Sequence, residues 1–232
     1  MLKADLEQLS ITESHFEGAR LGADPHFHER HVDSFYVLDG ELAFQVDDEE
    51  HTLGPGAFLA VPAGLVHGFR STSPARFLNF HTPDGAFAGH VRARDRGEEG
   101  GFDSVPAAAG DGLPASSAIL LHAREGERLE ANNRIATIKA GMDELALIEF
   151  ELLPGFTGPE PHTHDDHVDA FYVLDGEVEF QVGDEKLLLG AGAFVAAPVG
   201  VVHTFANGPG RSRVLNVHAP SAGFHEWLRE LG

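Results

Sequence analysis

Cysteine is absent from this sequence of 232 residues, and tryptophan, methionine and tyrosine occur only once, twice and twice. The lack of cysteine excludes disulfide bonds, iron–sulfur clusters and thiolate metal sites, so any bound metal must take nitrogen and oxygen ligands. No apolar run approaches the roughly 18–20 residues that a membrane helix needs. The first residues also lack a basic segment followed by an apolar core, as a secretory signal would have. We therefore expect a soluble, cytoplasmic protein.

Positive charge is scarce as well. Sixteen Lys and Arg residues stand against 37 Asp and Glu residues, which gives a formal net charge of −21. Nucleic acids and anionic membrane surfaces would be repelled by such a chain, so neither is expected as a partner. A small-molecule substrate is the partner that remains.

The sequence contains an internal repeat. A segment with two histidines, an aspartate and a glycine is followed by a Gly-x5-Pro-x-Gly-x2-His segment, and both segments recur 136 residues later. A constant offset across so many anchor residues identifies two copies of one structural unit. The first copy consists of His26, His28, Asp33, Gly40, Gly56, Pro62, Gly64 and His67, and the second of His162, His164, Asp169, Gly176, Gly192, Pro198, Gly200 and His203.

Short aromatic and β-branched runs separated by glycine and proline predict an all-β fold. In each copy, an Asp-Gly pair (Asp39-Gly40 and Asp175-Gly176) lies between two such runs and predicts a hairpin turn. A short helix is predicted after each copy, over 83–91 and over 221–231, with Ser221 as the cap of the second. The expected architecture is two β barrels in tandem with short flanking helices.

The repeat predicts two domains, an N-terminal barrel over 1–115 and a C-terminal barrel over 118–232. Residues 92–117 are rich in Gly, Ala, Glu and Pro and are predicted to be an exposed linker that can also cover a pocket. Three apolar segments precede His162, over 119–122, 134–138 and 146–152. We expect some of them to complete the first barrel.

The repeated histidines predict a metal site in each copy. Residues two apart on a strand point to the same face, so His26 and His28 project together, as do His162 and His164. A third histidine and an aspartate at the same offsets complete each set. The predicted ligands are His26, His28, Asp33 and His67 in the first copy and His162, His164, Asp169 and His203 in the second.

These motifs resemble those of the cupin superfamily, in particular a bicupin of the quercetinase-like kind. The two family motifs are G-x5-H-x-H-x(3,4)-E-x6-G and G-x5-P-x-G-x2-H-x3-N. The second is complete in the C-terminal copy, which ends at Asn207, whereas the N-terminal copy has Ser71 at that position. The resemblance covers most of 20–90 and 145–230. It implies a double-stranded β-helix (jelly-roll) barrel in each half with a divalent metal inside.

Both copies depart from the family pattern at the acidic ligand. Asp33 and Asp169 replace the usual glutamate and are one methylene shorter. Either the aspartate reaches the metal, or it orients another ligand from a short distance away. His31 and His167, two residues earlier, could replace the aspartate as ligands, act beside it as acids or bases, or be surface loop histidines.

Other repeated residues suggest the surroundings of the site. His81 and His218 each follow an asparagine by two residues, and we expect hydrogen-bonded Asn–His pairs at these strand ends. Four phenylalanines share the strand parity of the predicted ligands and are expected either to line a cavity or to pack in the core. They are Phe35, Phe69, Phe171 and Phe205.

The ligand sets accept iron, nickel, manganese, cobalt, copper or zinc, with up to one divalent ion per barrel. The resemblance implies dioxygenation of a phenolic or enolic compound as the first hypothesis for function. The alternatives are an isomerase, lyase or decarboxylase of a small organic acid or sugar, and a non-catalytic binding module. Barrel edges and faces also favour a homodimer.

Overall fold

The computed structural model of the chain describes residues 1–208 and 210–231. They form two compact units, Met1–Glu125 and Gly126–Gly232. The first unit extends past the predicted division at 115–118, because strand Ile119–Leu121 pairs with Phe58–Val61 of that unit. The other two segments that we considered for the first barrel pair with each other in the second unit.

The nine strands of the first unit form a single sheet. Its elements are β1 Leu2–Leu6, β2 Leu9–Phe16, β3 Arg20–Phe27, β4 Val32–Val46, β5 Glu49–Leu53, β6 Phe58–Val61, β7 His67–Thr82, α1 Phe87–Asp95, β8 Val105–Pro106, a 3-10 turn Ala115–Ser117 and β9 Ile119–Leu121. Strands are hydrogen-bonded in the order β1-β2-β7-β4-β6-β9, with β3, β5 and β8 attached to the side. From Leu42 to Val46 on β4, buried residues alternate with partly exposed ones, so one face of that part of the strand points into the barrel.

The described residues of the second unit form nine strands and one helix. Its elements are β10 Glu127–Ala131, β11 Arg134–Gly141, β12 Ala146–Leu152, β13 Val168–Asp175, β14 Glu177–Val182, β15 Glu185–Gly190, β16 Phe194–Ala197, β17 His203–Asn207, β18 Ser212–Ala219 and α2 Phe224–Glu230. The strands form a six-stranded and a three-stranded sheet, in the orders β10-β11-β12-β18-β13-β16 and β15-β14-β17. The two units confirm the predicted tandem of all-β cupin-type barrels with short flanking helices.

The predicted Asp-Gly hairpins are wrong. Both halves of β4 pair with β7, so the chain bends at Gly40 and continues as one strand. In the second unit, β13 pairs with β16 and β18, whereas β14 pairs with β15 and β17. Gly40 and Gly176 have left-handed φ values of 72° and 74°, and glycine adopts that conformation in a bend as readily as in a turn.

The two helices begin later than predicted. Helix α1 starts at Phe87, after Ala86 with a left-handed φ of 67°. Helix α2 starts at Phe224 after Gly223, and the Ser221 hydroxyl bonds the ring of His225 at 3.1 Å instead of capping the helix. Neither helix, nor any other in the described chain, is long and apolar enough to cross a membrane.

Each barrel has its own apolar core, which fixes the strands that carry the histidines. Phe35 and Phe44 belong to the buried cluster of the first unit, and Phe171 and Phe180 to that of the second. Phe35 and Phe171 are therefore core residues, whereas Phe69 and Phe205 also line cavities. The expectation that these phenylalanines wall a cavity is confirmed for half of them.

The segment predicted as a linker, 92–117, is packed against the first barrel. It begins inside α1, and β8 pairs with β3 at His26 and Phe27. Asp103 is buried, although its neighbours Arg94 to Gly101 are largely exposed. The segment therefore forms part of the barrel wall next to the predicted ligands.

Candidate metal centres

Strand pairing brings the predicted ligands of the first unit together. His26 on β3 lies opposite His67 on β7, and Asp33 on β4 lies opposite His81 on β7. The ligand atoms of His26, His28, Asp33 and His67 all lie within 4.8 Å of one another, and all four residues are buried. Oδ2 of Asp33 is 3.1 Å from Nε2 of His67 and 3.4 Å from Nε2 of His28.

Backbone carbonyls orient the imidazoles of this cluster. Nδ1–H of His26 donates to the carbonyl of Asp24 at 2.7 Å, and Nδ1–H of His67 donates to that of Leu65 at 3.1 Å. Nδ1 of His28 is similarly bonded to the carbonyl of Asp103. A proton on Nδ1 leaves the Nε2 lone pair free, and that tautomer is the one that binds a metal through Nε2.

The second unit repeats the arrangement. His162 and His203 form a bridge between chain segments, and Asp169 lies opposite His218. The ligand atoms of the four predicted residues again lie within 4.8 Å of one another. Nδ1–H of His162 donates to the carbonyl of Glu160 at 2.9 Å, and Nδ1–H of His203 to that of Val201 at 2.9 Å.

The surroundings of His164 Nε2 indicate whether a metal ion fits the second cluster. This nitrogen is buried and has no hydrogen-bond partner among the described residues, and it lies 3.9 Å from Oδ2 of Asp169. Buried polar atoms normally have a partner. An unsatisfied nitrogen beside a carboxylate and two more imidazoles is what a metal-binding histidine would present. Three nitrogens and one oxygen suit a divalent transition metal, so both clusters can hold an ion.

Each aspartate divides its two oxygens between the cluster and an asparagine. Oδ1 of Asp33 accepts a hydrogen bond from the Asn79 amide, and Oδ1 of Asp169 accepts one from Asn216. Oδ2 faces the imidazoles in both units. The shorter side chain therefore reaches the cluster with one oxygen, and the amide fixes the orientation of the other.

The predicted Asn–His pairs are confirmed. Nε2–H of His81 donates to Oδ1 of Asn79 at 3.1 Å, and Nε2–H of His218 donates to Oδ1 of Asn216 at 3.1 Å. Each pair continues through the asparagine amide to the aspartate. These pairs hold the carboxylates in place from behind the ligands.

His31 and His167 are buried, so the expectation that they are surface loop histidines is wrong. The His31 ring stacks on His28 at a centroid distance of 4.0 Å, with Nδ1 at 3.1 Å from Asp103 Oδ2 and Nε2 at 2.9 Å from His81 Nδ1. Both ring nitrogens of His31 are thus engaged away from the cluster. Asp33 is the residue whose oxygen lies among the Nε2 atoms.

His167 has a different setting from His31. Its Nδ1 lies 2.7 Å from Oδ1 of the exposed Asp166, and its Nε2 is buried without a hydrogen-bond partner among the described residues. The ring stacks on His164 at 3.9 Å and lines the cavity of the second unit. His167 therefore lies beside that cluster with one ring nitrogen that no described residue engages.

Asp103 is a site residue that the sequence did not indicate. Besides its carbonyl contact with His28, its carboxylate accepts hydrogen bonds from the backbone N–H groups of Glu29 and Arg30 at 3.1 and 2.9 Å. It lies more than 70 residues from these partners, in a segment without periodicity. No local signal in the sequence could have identified it.

Burial and neighbouring charge set the protonation of the clusters. Burial, with the nearby His67, lowers the pKa of His26 to about 4, and burial lowers the pKa of His164 to about 4. Burial would raise the pKa of Asp33, but the facing imidazoles of His81, His28 and His67 hold it well below its usual range. The lowered pKa values keep His26 and His164 neutral and Asp33 ionised at neutral pH, and these are the states that bind metal. Asp33 and Asp169 instead raise the pKa of His28 and His203.

Both clusters face cavities of about 460 Å³. The first cavity includes His26, His28 and Asp33 together with polar residues such as His15, Asp24 and Arg20. The second is mainly aromatic away from the cluster, and Arg134 is its one arginine or lysine among the described lining residues. Its walls include Phe150, Phe205, Phe224 and Trp227.

The chain is similar in sequence or in fold to several known proteins. A quercetin 2,3-dioxygenase of Bacillus subtilis is 23% identical over 89% of this chain and 72% of its own length. Oxalate decarboxylase of Lactobacillus farciminis in complex with formate has a similar fold, with a TM-score of 0.62, 14% identity and coverage of 93% of this chain and 78% of that one. AerE of Microcystis aeruginosa gives a TM-score of 0.65 at 14% identity over 94% and 90% of the two chains.

A family model described as "Cupin domain" matches the sequence twice, over 13–81 and 148–218. The two matches span the two barrels and contain all eight residues of the four-residue clusters. The chain therefore belongs to the cupin family and is a bicupin, with two cupin domains that each carry a His/Asp cluster able to hold a metal ion.

Proposed function

We propose that this bicupin is a metal-dependent dioxygenase of a small phenolic or enolic compound. The observation that carries the proposal is that three residues of each four-residue cluster line a cavity large enough for a small organic molecule. The aromatic wall of the second cavity suits a ring-bearing substrate. The relative named quercetin 2,3-dioxygenase supports the same class of reaction.

His26, His28, Asp33 and His67 would hold one divalent ion, and His162, His164, Asp169 and His203 a second. Such an ion, when bound, supplies positive charge to an oxygen of the substrate and, if redox-active, a route to reaction with dioxygen. The carbonyls behind the imidazoles and the asparagines behind the carboxylates keep the ligand set in one geometry.

The chain's own residues would bind the substrate and take its proton. The aromatic wall of the second cavity excludes water and packs against an aromatic ring. His167 lines the same cavity. Its Nδ1–H bonds Asp166, and its Nε2 is buried and has no partner among the described residues. His167 is therefore suited to accept the proton of a phenolic or enolic hydroxyl, with Asp166 stabilising the imidazolium. In the first unit, His31 has both nitrogens engaged and would act only through His81.

The overall reaction needs no external reductant. Both atoms of dioxygen enter the organic product, the substrate gives up four electrons, and dioxygen accepts them. The proton taken from the hydroxyl group returns to the product or to solvent. The substrate and dioxygen are therefore the only reactants that the reaction requires, and the two clusters would hold the metal.

The test is elemental analysis of the natively purified protein together with oxygen uptake on a panel of phenols, catechols, flavonols and enolisable diketones. We expect about two equivalents of a redox-active metal per chain and oxygen consumption matched one to one by product. Zinc, or no metal, with no oxygen uptake on any of these compounds would refute the dioxygenase.

A second candidate is a metal-dependent isomerase, lyase or decarboxylase of a small organic acid. The observation that favours it is Arg134, a guanidinium in the wall of the second cavity, because a cation beside a metal cluster suits a carboxylate. Turnover under strict exclusion of oxygen would support this candidate. Binding without any turnover would instead indicate a small-molecule binding module.

A further inference from the structure

Arg134 differs from every other arginine of the second unit. The other four each form an ion pair with a glutamate, whereas Arg134 has no carboxylate within 4.0 Å among the described residues. No described residue accepts a hydrogen bond from its guanidinium, which carries five N–H donors. The four pairs are Arg128–Glu130, Arg211–Glu151, Arg213–Glu149 and Arg229–Glu127.

The fold holds Arg134 against the cavity wall. It is the first residue of β11, directly after a two-residue turn in which Asn132 and Asn133 have left-handed φ values of 52° and 57°. Its Cζ lies 5.6 Å from the centroid of the Phe150 ring. This cation–π contact fixes the plane of the guanidinium but leaves its N–H edge free for an acceptor.

The half-buried position of Arg134 favours binding of an anion. Burial lowers the pKa of its guanidinium, and no carboxylate within 4.0 Å among the described residues opposes this effect. An anion in the cavity would meet this cation where water is partly excluded, and a charge-assisted hydrogen bond is stronger there than in water. The planar fork of arginine matches a carboxylate with two parallel hydrogen bonds.

We propose that the second cavity selects a small aromatic carboxylate, with its carboxylate bound by Arg134 and its ring held among Phe205, Phe224 and Trp227. All of these residues, with His162 and His164, line the same cavity of about 460 Å³. The carboxylates of Asp169 and Glu160 line it too, which disfavours a dianion such as a phosphate monoester. The substrate's oxygen at the metal cluster rests on the proposed function, whereas the Arg134 contact does not depend on it.

Trp227 provides a direct assay for this cavity. It is the single tryptophan of the chain, it stacks on Phe224 at a centroid distance of 5.7 Å, and its side chain remains about half exposed. Tryptophan fluorescence therefore reports on the second unit alone. The probes are 3-phenylpropionate and its neutral amide, 3-phenylpropionamide, titrated into the metal-loaded full-length protein.

We expect the wild type to bind 3-phenylpropionate about tenfold more tightly than the amide, which corresponds to about 1.4 kcal/mol. In Arg134→Gln this preference should fall to less than about twofold, and Arg134→Lys should retain part of it. Arg211→Gln is the matched control, because Arg211 is an exposed arginine of the same unit outside the cavity, and it should keep the full preference. Metal content should be unchanged in all three variants.

Equal affinity of the wild type for the two probes would overturn the proposal, as would an unchanged preference in Arg134→Gln. Neither result would touch the proposed reaction class, which is judged by metal content and oxygen uptake. Conversely, a lost carboxylate preference in Arg134→Gln with no oxygen uptake in the wild type would refute the dioxygenase and leave the carboxylate site standing.

Discussion

The two oxygens of each site aspartate have different partners. In Asp33, Oδ2 lies among the Nε2 atoms of the cluster while Oδ1 is held by Asn79. Asp169 and Asn216 repeat the division. The amide fixes the orientation of the carboxylate, so each aspartate presents one oxygen to the imidazoles in a fixed direction.

A single ligand substitution should empty one site and spare the other. We expect His203→Ala to lower the metal content from about two to about one ion per chain, because three nitrogen ligands become two in that cluster. The control is His122→Ala, which changes an exposed histidine outside both clusters. Elemental analysis after removal of loosely bound metal decides the matter, and an unchanged stoichiometry in His203→Ala would refute the assignment.

The site histidines also predict acid sensitivity of the metal-free protein. Burial lowers the pKa of His26 and His164 to about 4, that of His81 to about 3 and that of His218 to about 4. In the unfolded chain each would titrate near its ordinary value of 6.5. The unfolded chain then binds more protons, so stability that is complete above about pH 6.5 is lost as the pH falls towards about 4.

Two histidines act in the opposite direction. Asp33 outweighs burial and raises the pKa of His28, and Asp169 does the same for His203, so their stabilisation is complete below about pH 6.5 and lost as the pH rises through their folded pKa values. Burial also lowers the pKa of His31, so five lowered pKa values against two raised ones leave a net loss of stability on acidification. Urea unfolding of the chelator-treated protein between about pH 7.5 and 4.5 measures it, and a midpoint independent of pH would contradict the prediction.

At the residue scale, the repeat made the metal ligands predictable from the sequence. It did not indicate the residues that hold those ligands in place. His26 and His162 stand out because the same residue types recur at one offset. Asp103 has no such counterpart, and its contacts join residues more than 70 positions apart. Its role follows from how β8 packs on β3, which only the folded chain determines.

At the level of the strands, the sequence indicated which segments are extended but not which ones pair. An Asp-Gly pair between apolar runs is typical of a hairpin, yet at Gly40 the chain bends within β4 and both halves pair with β7. A hairpin turn and a bend within a strand both use the positive φ that Gly40 supplies. The distinction depends on β7, about 30 residues later, so a local pattern could not resolve it.

The bend at Gly40 should be intolerant of a side chain. A Cβ there would lie 2.1 Å from the carbonyl oxygen of Pro74, and the φ of 72° is itself unfavourable for other residues. We expect Gly40→Ala to lower the free energy of unfolding by about 1–3 kcal/mol from backbone strain alone. Gly54→Ala is the matched control, because its Cβ would meet no atom within 4 Å. Equal urea midpoints for the two variants would show that the bend tolerates a side chain.

A partly buried charge cluster is a second repeated element, which the sequence did not indicate. On β1, β2 and β7, Lys3 and Arg76 pair with Glu13, and on β11, β12 and β18, Lys139 and Arg213 pair with Glu149. Each member recurs at an offset of 136 or 137 residues. Lysine, glutamate and arginine are so common on protein surfaces that their spacing alone did not suggest burial.

For the molecule as a whole, the two units share ligands but differ in their cavities. The described lining of the first cavity includes five phenylalanines, polar residues such as His15, Arg20 and Asp24, and part of the segment that was predicted as a linker. That of the second includes four aromatic residues and the single arginine Arg134. The repeat made the common part predictable. The difference arises from residues outside the repeated motifs, such as Phe102 and Arg134, which the two matching sequences do not share.

Metal should stabilise the whole chain. An ion that binds the folded state at a thousand times its Kd adds about 4 kcal/mol to the free energy of unfolding. We therefore expect chelation to lower Tm and re-addition of metal to restore it. A variant with His67→Ala and His203→Ala together serves as the control, because each cluster lacks one ligand and metal should no longer raise its Tm. An unchanged Tm of the wild type on chelation would contradict the prediction.

The carbonyl groups that orient the imidazoles have a consequence for how this protein can diverge. Asp24 in the first unit corresponds to Glu160 in the second, and Leu65 corresponds to Val201, yet each pair makes the same hydrogen bond to a histidine. The main chain makes the contact, so the side chain at these positions can drift over evolutionary time without disturbing the ligand. These four backbone carbonyls orient metal ligands, but we expect no conserved residue type at their positions among related sequences.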